Sequence, residues 1–325
     1  MNLEFHYWIV LFLARKAGLD AGEAWTIAYS SQLTDDRTYP IPLEGPVGRD
    51  EVIATQSFGT SDDAPTRAIR LACHFIPGVR AEASRLRVDG EAGALVVTPG
   101  SPTAKGLLIA ALRSRDPYRI GIALHAYADT WAHANFSGTL DPKNAFADVD
   151  PVPPLGHAPA LRRPDLLVEI WEDPRLLSPY RRAVNRDRFM AAARMIYKYL
   201  ATYARRPFAD VDRVEAELHA LWGRAGEKGR AERFADYAIA TGEKPYERDA
   251  WLREAGLAEA VAFDPPAEGG LPRALAKALR RGDEWIRTRI GGRTYPVDER
   301  YYGSDLARWN AAAKAHLSAF AAMSR

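Results

Sequence analysis

Apolar side chains at Phe5, Trp8, Ile9, Phe12 and Leu13 recur at intervals of three and four, which predicts a helix over residues 3–17 stopped by Gly18. A second helix is predicted from Ala21 to about Ser31, before the polar turn Thr34-Asp35-Asp36-Arg37. Residues 38–66, rich in Pro, Gly, Asp and Thr, read as a long ordered loop, and loops of that length inside a compact domain often carry function. Leu86 and Val88, then Leu95-Val96-Val97, flank Asp89-Gly90-Glu91-Ala92-Gly93 and predict a short hairpin within residues 85–98, the one convincing β signal. Helical periodicity returns over 104–113 and about 118–135, and prolines from Pro142 to Pro164 mark a second long loop.

Beyond that loop, alanine-rich amphipathic segments predict helices at about 164–172, 186–203, 211–224, 231–240, 248–255, 271–280 and 304–323. The expected fold class is all-α: a multi-helix bundle with one small β-hairpin and two long loops, forming a single α-helical domain over 1–325. Its metal-ligating residues would lie in 1–170, with a helical C-terminal part over 171–325. The basic run from Arg273 to Arg281 reads as a solvated helix face.

Composition narrows the chemistry. The chain has 325 residues, 47% hydrophobic, enough for a large core, and its 44 basic and 42 acidic residues give no excess that calls for a nucleic-acid or anionic-membrane partner. Cys73 is the sole cysteine, which excludes an internal disulfide framework and a thiolate-rich zinc or iron-sulfur site, so a metal would need His and carboxylate ligands. The apolar run Trp8–Ala14 follows acidic Glu4 and precedes Arg15-Lys16 with no small-residue cleavage site, and reads as a buried helix of a cytoplasmic protein. No segment approaches the roughly 20 apolar residues that span a bilayer.

His125, Asp129 and His133 are spaced by four and line one stripe of the predicted helix over 118–135. The two histidines stand about 12 Å apart along the axis, too far to chelate one ion from a straight helix, yet each is one step from Asp129, whose two oxygens can bridge two metals. Helix capping or mutual pairing is the structural alternative. His6, His74, His157 and one or both of Asp35 and Asp36 are candidates to complete the shell. Each taken alone also fits a hydrogen-bonded core or loop residue. His219 and His316, on late amphipathic helices, read as structural or exposed.

The stretch Leu-His125-Ala-Tyr-Ala-Asp129-Thr-Trp-Ala-His133, with Phe5-His6-Tyr7 and the Asp35-Asp36 turn, resembles the zinc-dependent phospholipase C and single-strand-specific nuclease superfamily, through an uncharacterised bacterial group. The resemblance covers roughly residues 1–170. It implies an all-helical zinc hydrolase in which His125 and Asp129 form the central His-x3-Asp pair, Asp129 bridging two zincs. His6 matches the early histidine, Asp35 or Asp36 the loop aspartate, His74 the intermediate histidine, and His133 and His157 the later ones.

Two features depart from that superfamily. Its enzymes use an N-terminal tryptophan as ligand, where this chain reads Met-Asn-Leu-Glu, and the acidic residue expected four positions after the later histidine is Leu161. Asp165 or Glu169 could substitute, although neither has the spacing, so two and three zinc ions both stay open, with iron or manganese as other metals.

The function expected is hydrolysis of a phosphoester or other small-molecule substrate. Whichever of Asp35 and Asp36 does not ligate is the candidate base, and Arg37, Arg162 and Arg163 are candidates to clamp a phosphate. Tyr127, with Trp131 and Phe136, is a candidate pocket residue. A di-iron or other metal-dependent oxidoreductase and a helical binding protein with a structural metal are the rival classes.

Overall fold

The computed structural model describes residues 1–56, 62–146, 152–224, 226–261 and 293–324. The fold is mostly α-helical with two small sheets. A π-helical turn, Glu4–Ile9, runs into α1 (Val10–Lys16), followed by α2 (Ala21–Asp36), strands β1 (Ile41–Gly45) and β2 (Gly48–Val52), and helices α3 (Ala64–Cys73), α4 (Arg80–Leu86), α5 (Pro102–Ser114) and α6 (Pro117–Ala132). Then come β3 (Ile170–Glu172), α7 (Ser178–Arg181), β4 (Arg182–Val184), α8 (Asn185–Tyr203), α9 (Val211–Trp222), α10 (Arg230–Thr241), α11 (Ala250–Glu254), β5 (Tyr295–Pro296), α12 (Glu299–Gly303) and α13 (Asp305–Met323).

Helix α6 is the axis of the molecule. Asp116 caps it by accepting from the Tyr118 and Arg119 amides, Pro117 opens its first turn, and every residue from Ile120 to Ala132 is buried. A helix apolar nearly all round must be covered on all sides, and α2, α5, α8 and α13 pack against it. Gly121 allows the approach of α2, because a Cβ there would lie 2.4 Å from the Ile27 carbonyl oxygen. One core joins α1, α2, α5, α6, α8, α9 and α10; a second places Tyr29, Leu33, Ile41, Trp251 and Trp309 together, so α2 serves both.

The β structure lies elsewhere than the sequence pattern predicts. Residues 85–98 form no hairpin: Val97 donates to the Phe136 carbonyl and accepts from the Asn135 amide, and Val88 donates to the Arg175 carbonyl. The β-branched run is therefore paired to the chain leaving α6. The hairpin falls instead in the segment expected to be a loop, where β1 and β2 pair antiparallel from Ile41↔Val52 to Gly45↔Gly48 and β5 adds a parallel edge. The segment 164–172, expected to be helical, is a 3-10 turn at Arg163–Asp165 followed by β3, which pairs with β4. The expected helix over 271–280 and the basic run 273–281 lie outside the described residues. No helix among the described residues is long and apolar enough to cross a membrane.

His316 on α13 is buried, and a ring nitrogen bonds the Ala72 carbonyl at 3.0 Å. Burial lowers its pKa to about 4, so its neutral form is favoured in the fold, and the stability it supports is complete above the unfolded value and lost as pH falls from about 6.5 toward 4. His316→Gln keeps an N–H donor without the titration. The expected result is a shallower stability loss over that window, by on the order of 3 kcal/mol at its acid end, read from urea unfolding of both proteins at stepped pH.

Candidate metal centre

Five elements deliver the chemistry to the inner end of α6. The π-helical turn carries His6, the last turn of α2 carries Asp35, and His74 caps the C-terminus of α3. Helix α6 supplies His125 and Asp129 and ends on His133. The proline-rich loop supplies His157 and Asp165.

Asp129 is the hub. Its Oδ1 is paired with the Met1 amino group and lies 3.2 Å from His6 Nε2, and its Oδ2 lies 3.2 Å from His74 Nδ1, 3.4 Å from His125 Nε2 and 3.7 Å from His133 Nδ1. Around it the described residues form three groups with ligand atoms within 4.8 Å of one another: His6, His125 and Asp129; Asp35, His74 and His125; and His133, His157 and Asp165. The Met1 amino group also lies 3.3 Å from Asp165 Oδ1.

Three of the histidines are locked in one tautomer by the backbone. His74 Nε2–H donates to the Thr55 carbonyl at 2.9 Å, His133 Nδ1–H to the His74 carbonyl at 2.8 Å, and His157 Nδ1–H to the Leu161 carbonyl at 2.8 Å. In each the other nitrogen faces a carboxylate: His74 Nδ1 faces Asp129, with His125 Nε2 also 3.1 Å away, His133 faces Asp165 Oδ1 at 3.2 Å, and His157 faces Asp165 Oδ2 at 3.3 Å. Against the pull of burial, Asp129 beside His74 raises the pKa of that ring. Such outward N–H anchoring is how metal-bound imidazoles are oriented. The rings of His6 and His125 stack at 3.8 Å, and both nitrogens of His6 and Nδ1 of His125 are buried without a hydrogen bond. Orphaned donors and acceptors of this kind are costly unless something binds them.

The electrostatics agree with the crowding. Burial lowers the pKa of His133, that of His125 to about 4 and that of His6 well below the ordinary imidazole value. Burial would raise Asp129, but the Met1 ammonium with His133, His125 and His6 outweighs it and holds the carboxyl well below its usual range. Asp165 is depressed in the same way by His157, the ammonium and His133. For the amino group burial works downward, yet Asp129, Asp165 and Asp35 raise its pKa to about 10.

The structure separates the adjacent acids. Asp35 reaches the cluster, with Oδ1 3.9 Å from His74 Nδ1 and accepting from Gln56 Nε2 at 3.3 Å. Asp36 faces the other way, accepting from Tyr246 Oη at 2.7 Å with Arg248 Nε 3.7 Å off, and belongs to none of the three groups. Arg37 is half-buried beside them, and Arg162 and Arg163 are exposed next to Asp165. Tyr127 points away from the stripe into the core, edge-on to Trp131 and Tyr199, and is fully buried; Phe136 is buried too, against Phe146 and Trp171.

Asp165 joins the site despite standing eight positions after His157. A 3-10 turn at Ala158–Ala160, a left-handed Leu161 at φ 56° and a second turn at Arg163–Asp165 fold the extra residues back on themselves. A non-glycine residue at positive φ is a strained element of the kind that clusters at functional sites. Thr55 and Gln56 carry no sequence signal of their role.

Compared with known proteins, the chain matches a family of unknown function, DUF6765, over residues 1–323, and it belongs to that family. No curated protein and no solved structure matches it.

Proposed function

We propose that this member of DUF6765 is a metal-dependent hydrolase that cleaves a phosphoester at a trinuclear His/Asp site, with zinc as the metal. The carrying observation is the tautomer pattern: His133 and His157 spend their N–H on backbone carbonyls and turn lone pairs toward Asp165 at 3.2 and 3.3 Å. Burial favours the neutral ring at His133, and a neutral ring's lone pair facing a carboxylate is repelled unless a cation lies between them. Five imidazoles with three aspartates and no glutamate make a nitrogen-rich donor set, which suits zinc better than the oxygen-rich sets of manganese or di-iron sites.

His6, His125 and Asp129 would hold one ion, Asp35 and His74 would be the protein ligands of a second, and His133, His157 and Asp165 would hold a third. Bound there, divalent ions supply Lewis acidity toward a phosphoryl oxygen and lower the pKa of a water. With Asp35 among the ligands and Asp36 turned toward Tyr246, neither acid of the pair is left as a separate base. Arg162 and Arg163 stand in solvent close to Asp165 in sequence and would neutralise an arriving phosphate, and half-buried Arg37, after Asp36, is the further candidate. Asp35 and His157 are 23% exposed and Asp165 17%, whereas His6 and His125 are fully buried, so the cluster opens on one side. That openness favours catalysis over a closed structural site. The reading extends the resemblance to the phospholipase C and nuclease superfamily.

Elemental analysis of protein purified without chelator is expected to find zinc, and bis(4-nitrophenyl) phosphate hydrolysis is expected to disappear with a chelator and return with zinc. Protein free of zinc, iron and manganese, with hydrolysis indifferent to chelation, would overturn the proposal. Iron with an oxygen-dependent turnover and no phosphodiesterase activity would favour the oxidoreductase class.

A further inference from the structure

Helix α8 begins with Asn185, a fully buried amide that makes every hydrogen bond its side chain allows. Its Nδ2 donates to the Arg163 carbonyl at 2.6 Å and the Leu166 carbonyl at 2.7 Å, which bracket Asp165. Its Oδ1 accepts from Trp171 Nε1 and from Arg188 Nη1, both at 3.1 Å. Trp and Arg are donors only, so the amide cannot be turned the other way round.

One helical turn on, Arg188 sends Nη2 to the carbonyls of Trp131 and Ala132, the last residues of α6 before His133. Those carbonyls end a helix and have no partner within it. The turn holding Asp165 is closed by the Asp165 amide on the Arg162 carbonyl at 3.1 Å, but its far end is loose, the Leu166 amide reaching the Arg163 carbonyl only at 3.5 Å. Both sides of the third group, the end of α6 and the 163–166 turn, are thus fastened to the same turn of α8.

We propose that Asn185 and Arg188 are positioning residues that set the separation of His133 from Asp165 and so create the third metal position. Neither touches the ligand atoms themselves. The inference rests on the trinuclear reading above, and it gives the C-terminal half of the chain a part in the site.

Asn185→Asp keeps the shape and the acceptor for Trp171 and Arg188, but places a carboxylate oxygen against two carbonyl oxygens and drives the turn away. Arg188→Lys keeps the charge, but replaces the planar fork, whose Nη1 holds Asn185 while Nη2 holds the two carbonyls, by a single nitrogen. Tyr301→Phe removes an acceptor for the buried Asn310 Nδ2 in the second core and serves as a control for general loosening.

Zinc titrations against a competing chelator, with elemental analysis and a melting curve for each protein, read the outcome. Asn185→Asp is expected to weaken one equivalent of zinc by about 10- to 100-fold and leave the others as in the wild type, with Arg188→Lys near the lower end of that range. Tyr301→Phe is expected to lose stability and no zinc. If Asn185→Asp fails to fold, Arg188→Lys decides alone. Wild-type affinity at every equivalent in the variants, or uniform weakening that tracks the melting temperature, would overturn the inference while leaving the trinuclear reading in place. A wild-type protein that binds no zinc would remove both.

Discussion

Replacing Asp129 by asparagine is expected to strip the protein of the ion held with His6 and His125 and to cut phosphoester hydrolysis by about a thousandfold or more, the equivalent of several kcal/mol of lost charge stabilisation. Asparagine has the same shape, so packing on α6 is preserved and the change tests charge alone. One of its two terminal groups would be an NH2, pointing a donor at atoms that now face an anion. Asp129 has His6 on one oxygen and His74 and His125 around the other, so its loss removes the only carboxylate of the first position and a neighbouring charge of the second, while His133, His157 and Asp165 keep their own. The same change leaves the buried Met1 ammonium with Asp165 at 3.3 Å as its nearest anion. Burial then dominates, and the amino pKa should fall from about 10 toward its ordinary value. Metal content by elemental analysis and turnover on the chromogenic diester measure the effect; an Asp129→Asn protein with wild-type metal content would show that Asp129 is a structural hub and nothing more.

The central stripe is legible in the sequence because a helix imposes a fixed repeat: spacings of four put His125, Asp129 and His133 on one face before any tertiary information is used. The long helices of the C-terminal half and the α1 and α2 segments are legible for the same reason. The elements that escape the pattern are those whose backbone partners are distant in sequence. Val96 and Val97 have strand propensity, but the chain they bond lies at Phe136 and Gly78, which no local pattern names. Conversely, Pro42, Gly45 and Pro46 make residues 41–52 look like loop, while the inward alternation of Ile41 and Leu43 against the core is enough to form the hairpin.

The site shows the same limit. Asp165 has the wrong spacing from His157 for a ligand on the same regular element, but the intervening residues form two tight turns joined by the left-handed Leu161, and spacing rules do not reach across them. Asp35 and Asp36 are indistinguishable as a dipeptide, and Tyr246, more than two hundred residues away, is what turns Asp36 from the cluster. Asn185 and Arg188 sit in a helix that reads as ordinary; their role is visible only once α8 is laid against the end of α6.

Cutting the ion pair between Glu4 and Arg233 should cost about 3–5 kcal/mol, a large change for a single side chain outside the metal groups. Glu4 opens the π-helical turn that carries His6, and both its oxygens are held by the guanidinium of α10, Nε to Oε1 at 2.6 Å and Nη2 to Oε2 at 2.7 Å. The Arg233 and Glu4 side chains are 5% and 2% exposed, so the attraction is scarcely screened and water cannot replace the missing partner. Arg233→Met leaves a carboxylate buried and alone; it is expected to lower the melting temperature by about 4–7 °C. Glu4→Gln with Arg233→Met removes both charges and should recover part of that loss, since the uncompensated ion, more than the missing contact, carries the cost. Because π-helical turns recur at functional sites, the order of events on warming is informative. If the pair serves the centre as well as the fold, Arg233→Met releases metal below its melting transition, and the double variant, with its turn no longer clamped from α10, does so as well. A double variant as unstable as the single one would mean that the packing of the methionine, and not the stranded charge of Glu4, sets the penalty.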